Sequence, residues 1–317
     1  MLRSAYLKRI YYLITFTSFV LGLVLLSLST NTSPATRQIL TTVRATVTSN
    51  LTSRILTTKT PKRFLYLTQT PSCLPEYLKG ENQIGNGSTC DCDVLVLGYK
   101  GKCQQKPSDH IEYLYLKGTT WTTGRNYLYE QAMERSMKYH YYIFIDDDIK
   151  LRLNANSKDM TRTVGPWRSF EKFLIAYRPP IARTPYCSSA SSKCVTTNVP
   201  NVYALKGIIF DAAFNAIHYE ALPYLLPYNT KGDDKSWWFS QAYLQMLAMY
   251  YFKDFVLTYS EVTAINVLHR EYPRSGLNKE IYSNFEEFVN ILRKRNKVPP
   301  KWNGVNVSDV AMQICKC

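Results

Sequence analysis

Three consecutive carboxylates, Asp146-Asp147-Asp148, follow directly on the apolar run Tyr141-Tyr142-Ile143-Phe144-Ile145. Like charges this close repel one another, and none can be buried without a partner. A hard divalent cation holds such carboxylates together at least cost, and oxygen ligands suit Mg2+ or Mn2+. In an extended chain, residues two apart point the same way, so Asp146 and Asp148 share one face and Asp147 takes the other. The expected chemistry is a metal–diphosphate site carried by Asp146 and Asp148, with Asp147 tolerant of replacement. An acidic turn left in water is the plain alternative.

The elements that must position these acids can be read around them. An apolar run of this kind is a strand buried on both faces, as in a parallel or mixed sheet under helices. Asp93–Gly98 and Ile111–Leu116 read the same way, and Phe64–Thr68 as a shorter strand. A Gly/Thr-rich stretch, 117–126, then opens a helix over 127–135 whose apolar positions recur three to four apart. Strand, loop, helix and acid-tipped strand make a βαβ unit with a right-handed crossover. Ligands of open α/β sheets bind beyond the carboxyl ends of the strands, where the acids stand. Further helices are expected over 167–177, 216–225, 236–252 and 284–294, and strands over 202–209, 255–259 and 262–270. Helices and strands alternate without internal repeats, which predicts one α/β domain over 64–317.

The N-terminal part is of another kind. Ile10–Leu28 is an uncharged, mostly apolar run behind Arg3, Lys8 and Arg9. At about 1.5 Å per residue it can cross a bilayer as a helix, with the tail 1–9 in the cytosol. A cleaved signal peptide is the competing reading, opposed by the length of the apolar core and the lack of a clean cleavage site. Residues 29–63 are dominated by Ser and Thr and read as an extended stem. The formal charge is +15, but nine of the 39 Lys and Arg fall within 1–63, where there is no acid. The rest holds 30 basic against 24 acidic groups, so the high pI makes no case for nucleic acid.

Eight cysteines suit an oxidising compartment: 73, 90, 92, 103, 187, 194, 315 and 317. Cys187 with Cys194 would close a short loop, and the other pairings are open. Neither Cys90-x-Cys92 nor Cys315-x-Cys317 has zinc-ligand spacing. Sequons at Asn31, Asn50, Asn86 and Asn306 agree with the secretory pathway.

With these features in place, the chain resembles glycosyltransferases of the GT-A fold. Phe144-Ile145-Asp146-Asp147-Asp148 matches their Asp-x-Asp motif, and Gly124-Arg125-Asn126 resembles the Arg-Asn found at the preceding helix start. Anchor, stem and lumenal domain are similar to Golgi type II transferases. The resemblance implies a Rossmann-related, mostly parallel mixed sheet flanked by helices. It also implies a nucleotide-sugar donor (a UDP-sugar first), a glycan acceptor and Mn2+ or Mg2+. The protein is then a single-pass Golgi membrane protein, with any homodimer assigned to anchor or stem.

Residue by residue, Asp146 would serve nucleotide and metal, and Asp148 the metal. Arg125 and Asn126 would face the nucleotide sugar, with bracing of the aspartates as the other role for Arg125. Gly207 would let the backbone approach the donor sugar, unless it serves packing alone. Asp234, or its neighbour Asp233, is the expected base for an inverting reaction, with helix capping as the alternative. His269 would be a third metal ligand or else a structural histidine; His110, His140 and His218 read as structural. Trp237 and Trp238 would stack on a sugar or join the core. Two rival functions stay open: a catalytically inactive GT-A-like anchored protein, and a lectin-like module whose acids bind Ca2+ and glycan.

Overall fold

A computed structural model describes residues 62–155, 157, 159–188, 204–206, 211–268, 288, 290–292, 294, 301–302 and 311–312. All belong to the compact unit Pro61–Cys317. The expected anchor and nearly all of the stem lie outside the described residues. Among the described residues, no helix is long and apolar enough to cross a membrane.

The chain runs β1 (Phe64–Thr70), β2 (Cys92–Gly98), β3 (Ile111–Tyr115), α1 (Trp121–Met133), β4 (Tyr141–Asp146) and β5 (Ile149–Leu153). It continues α2 (Asp159–Val164), α3 (Pro166–Tyr177), β6 (Ile181–Arg183), β7 (Tyr186–Ser188), β8 (Ala204–Lys206) and β9 (Phe214–His218). The last described elements are α4 (Leu222–Leu225), α5 (Trp238–Phe252), β10 (Val256–Tyr259), β11 (Val262–Asn266) and β12 (Ala311–Met312).

Nine strands form a mixed, mostly parallel sheet in the order β12-β8-β10-β6-β9-β4-β1-β2-β3. The apolar runs of β1, β2 and β4 divide between its two faces, as alternating side chains must. Phe64, Tyr66, Val94, Val96, Tyr141 and Ile143 pack under Trp167, Phe170, Phe173 and Leu174 of α3. Leu65, Leu67, Leu95, Leu97, Tyr142 and Phe144 pack with Leu128 of α1 and with Leu244, Leu247 and Phe252 of α5. Helices on both faces explain why these strands are apolar over continuous runs, with polar residues near their ends.

A second sheet, β5-β11-β7, has a telling origin. Its three strands are the successors of β4, β10 and β6, which run in the same direction through the large sheet. Three times, therefore, the chain leaves the carboxyl end of a large-sheet strand and enters the small sheet. Asp147-Asp148 is one of those crossings.

Two sequence expectations are corrected here. The helix expected over 216–225 is split: its first three residues complete β9, a wholly buried strand hydrogen-bonded between β4 and β6, and Leu222–Leu225 is helical. Short apolar runs do not distinguish strand from buried helix by period. β5 was not foreseen, although Ile149-Lys-Leu-Arg-Leu alternates as a half-buried strand does.

Disulfides join Cys73 to Cys103 and Cys90 to Cys92. Cys187 is also disulfide-bonded, while Cys194 lies outside the described residues.

Under α3, Glu171 is buried against the Tyr66 hydroxyl, which donates to Oε1 at 2.8 Å, and beside Arg168. Burial pushes its carboxyl up to about 7. A raised acid pKa favours the protonated form on folding. That stabilisation is complete below the ordinary glutamate range and is lost as pH rises through about 7. The melting temperature is therefore expected to fall from pH 6 to pH 8, and Glu171→Gln to flatten that fall in a thermal-melt series. An unchanged slope would assign the titration elsewhere.

Candidate functional site

β4 ends at Asp146, in parallel register with Gln69 near the end of β1. Here the strand order reverses: β2 and β3 lie to one side of β1 and β4 to the other. Such a switch point is where open α/β sheets form their ligand crevice. The Asp146 amide donates to the Ala213 carbonyl at 2.8 Å, which fixes the strand end. Its carboxylate is fixed as firmly. Arg125 Nη2 at 2.7 Å and Trp121 Nε1 at 2.9 Å both donate to Oδ1, leaving Oδ2 outside this pair of bonds. The Arg125 guanidinium lies 4.0 Å from the Trp121 ring centre and also faces Phe144 and Tyr228.

Past Asp146 the chain is no longer extended, so the expected alternation does not continue. Asp147 and Asp148 form the turn into β5, and both are buried, each 5% exposed. Strand alternation therefore does not set Asp147 on the opposite face from Asp148, and its burial gives no support to the expectation that it tolerates replacement. Its carbonyl accepts from the Tyr77 hydroxyl, and the Asp148 carbonyl accepts from the Val267 amide at 2.8 Å.

The start of α1 ties two acidic positions together. Thr120 caps it in a reciprocal box with Thr123. Trp121 reaches Asp146, while the hydroxyls of Thr120 and Thr122 donate to the two oxygens of Asp233. A carboxylate is favoured at this helix end, where peptide N–H groups point outward. At Gly124 a Cβ would run into the Gln69 amide, so a larger residue would displace that side chain and its bond to the Trp121 carbonyl. Gly232, at φ 90°, allows the turn that presents Asp233. The helix after that turn, α5, starts at Trp238 with no side-chain cap. Just before it, the Ser236 hydroxyl accepts from the Trp238 amide at 3.3 Å, while the Asp233 oxygens accept from Thr120 and Thr122 at the start of α1.

Arg125 and Asn126 stand differently from their expected contact with nucleotide sugar. Arg125 is 2% exposed and engaged with Asp146 and the Tyr228 hydroxyl, so its bracing role is the one realised. The Asn126 amide accepts from the Tyr228 amide at 2.7 Å and donates to the Tyr228 carbonyl at 2.9 Å, which anchors that loop. Asp234 is exposed and Asp233 half-buried. Trp237 and Trp238 are half-buried. His218 is buried and held neutral down to about 4 by loss of hydration, in keeping with a structural role. Gly207 and His269 lie outside the described residues.

Asp211 is the acid that sequence reasoning passed over. It precedes β9, accepts from the Ala213 amide at 2.8 Å, and has its carboxyl pushed up to about 6 by burial, with Asp146 adding to the rise. Burial pushes the Tyr186 hydroxyl up, and Asp211, Asp146 and Asp148 each add to that rise. The sole signal in the sequence was a carboxylate at the edge of an apolar segment.

This donor set fits a hard divalent cation. It consists of oxygens, its acids are partly or wholly removed from water, and the positive charge beside Asp146 comes from one guanidinium. Among the described residues, the one set with three ligand atoms within 4.8 Å of each other is Cys90, Cys92 and Glu171, whose two sulfurs are bonded together. Among the described residues, no three aspartates form such a set. That suits an ion held by one or two carboxylates together with phosphate oxygens, as Mg2+ commonly is.

No family model and no curated protein matches the chain. Among solved structures it is similar to A197 from STIV at 13% identity and a TM-score of 0.38, covering 64% of this chain and 84% of that one. It is also similar to S. aureus TarS 1–349 at 10% identity and a TM-score of 0.34, covering 73% of this chain and 64% of that one. Likenesses this distant leave function to rest on the chain's own residues.

Proposed function

We propose that the protein is a metal-dependent glycosyltransferase that moves a sugar from a nucleotide diphosphate donor, a UDP-sugar first, to a glycan acceptor. The observation that carries this reading is the fixed Asp146 at the switch point, followed by Asp148 in the crossing between sheets. Asp148, with Asp146 Oδ2, would hold Mn2+ or Mg2+; His269 belongs to the proposed ligand set on sequence grounds. Bound there, the ion would offset charge growing on the departing diphosphate. Arg125 and Trp121 orient Asp146, while Thr120 and Thr122 at the start of the same helix hold Asp233. The basic, Ser/Thr-rich N-terminus with its apolar run supports a type II anchor and stem, a Golgi membrane location and a lumenal catalytic domain.

The test is release of nucleoside diphosphate by the full chain from a panel of nucleotide sugars, with and without Mn2+. Release that needs Mn2+ is expected. In Asp148→Asn it should fall at least about tenfold at limiting metal, through loss of one charged ligand. Tight binding of Ca2+ and glycan with no turnover of any donor would replace this reading with the lectin-like one.

A further inference from the structure

The turn that carries Asp147 and Asp148 is gripped from outside the sheet. Tyr77 sits in a single 3-10 turn, Glu76–Leu78, within the long connection between β1 and β2. Its hydroxyl donates to the Asp147 carbonyl, and the Lys150 ammonium lies 4.6 Å from its ring centre. One side chain thus touches the backbone inside the acidic turn and the first charged residue after it.

The platform beneath Tyr77 is rigid for visible reasons. Leu74, Leu78 and Ile84 are buried in the core under α3. The Gly85 amide closes onto the Leu78 carbonyl at 2.8 Å, and Trp167 Nε1 donates to Gln83 at 2.6 Å. Four residues before Tyr77, Cys73 is bonded to Cys103 in the connection after β2. Opposite Tyr77, the Val267 amide holds the next carbonyl, that of Asp148. With both carbonyls held, the peptide planes of the turn are set, and so are the directions in which its carboxylates leave the backbone. The Tyr77 bond thus acts on the peptide between Asp147 and Asp148, from which the Asp148 side chain departs.

We infer that Tyr77 is a positioning residue for the Asp147–Asp148 turn and sets how tightly the divalent cation is held. This rests on the metal reading above. Tyr77→Phe removes the hydroxyl alone and leaves the ring beside Lys150. In the full chain, Mn2+ alone is titrated by the electron-spin-resonance signal of the free ion and by the Mn2+-dependent rise in melting temperature. The variant's dissociation constant is expected to rise about tenfold, the scale of one buried hydrogen bond. The metal-free melting temperature should change little, since one hydroxyl is removed and the ring stays in place.

Cys73→Ser with Cys103→Ser, tested in parallel, keeps Tyr77 and frees the platform; weaker Mn2+ binding is expected there too. If the wild-type chain binds Mn2+ and Tyr77→Phe titrates identically, the inference is overturned and the metal site stands. Should Tyr77→Phe fail to fold, an unchanged titration in the double-serine chain overturns it equally. A wild-type chain that binds neither Mn2+ nor Mg2+ removes the metal reading itself.

Discussion

Replacing Arg125 with alanine is expected to destabilise the folded domain by about 3 kcal/mol, because it strands one partner of a largely buried ion pair. The two sides of that pair are unequal. The Arg125 side chain is 3% exposed and that of Asp146 26%. Water can therefore relieve part of the carboxylate left behind, which places the effect at the low end for buried pairs. Packing is lost as well, because the guanidinium lies against Trp121 and faces Phe144 and Tyr228. For a domain of this size the melting temperature should fall on the order of 10 °C.

Lysine is no remedy. It keeps the charge, but a single ammonium cannot reproduce the planar fork that reaches Asp146 and the Tyr228 hydroxyl together. Arg125→Lys should thus recover less than half of the lost stability in a denaturant titration. Measured below its melting transition, the Arg125→Ala chain should still show impaired metal-dependent transfer, because Trp121 alone then orients Asp146. A loss of stability under 1 kcal/mol would show that the pair is replaced by water at little cost.

What was legible beforehand follows a physical divide. β2, β4 and the first half of β1 could be read because a strand buried on both faces is apolar along most of its length, and each such run names itself locally. β9 lies deeper in the same sheet, yet its five residues include Asn215 and His218 and resemble a helix fragment as much as a strand. The site divides in the same way. Asp146 and Asp148 announced themselves by charge density, and Gly124-Arg125-Asn126 by their place at a helix start. The roles of those residues depended on partners far away in sequence: Asn126 on Tyr228, Gly124 on Gln69, and Arg125 on Asp146 and Tyr228. Local pattern holds no information on which of those partners the fold delivers. Asp147 shows the same limit from the other side. Period-two reasoning holds only while the strand does, and β4 stops one residue earlier.

Asp233 and Asp234 should separate cleanly when each is changed to asparagine. Both oxygens of Asp233 accept from threonine hydroxyls at the start of α1, so this carboxylate secures the turn at Gly232 to the helix whose next residues hold Asp146. Asparagine keeps one carbonyl oxygen but replaces the other with a donor facing a hydroxyl. Asp233→Asn is therefore expected to lower the melting temperature by several degrees, in line with about 1–2 kcal/mol for an impaired charged hydrogen bond. Asp234 follows on the same turn and is exposed. In the proposed reaction it is the carboxylate able to take the acceptor's proton. Asp234→Asn should lower kcat by roughly 10^2–10^4, the range for a lost general base, with the melting temperature unchanged. If Asp234→Asn keeps the wild-type rate while a folded Asp233→Asn chain loses it, the base is Asp233, and its threonine partners must release it when acceptor binds. If both keep the rate, no base is drawn from this turn, and a retaining transfer that needs none becomes the better reading of the same site.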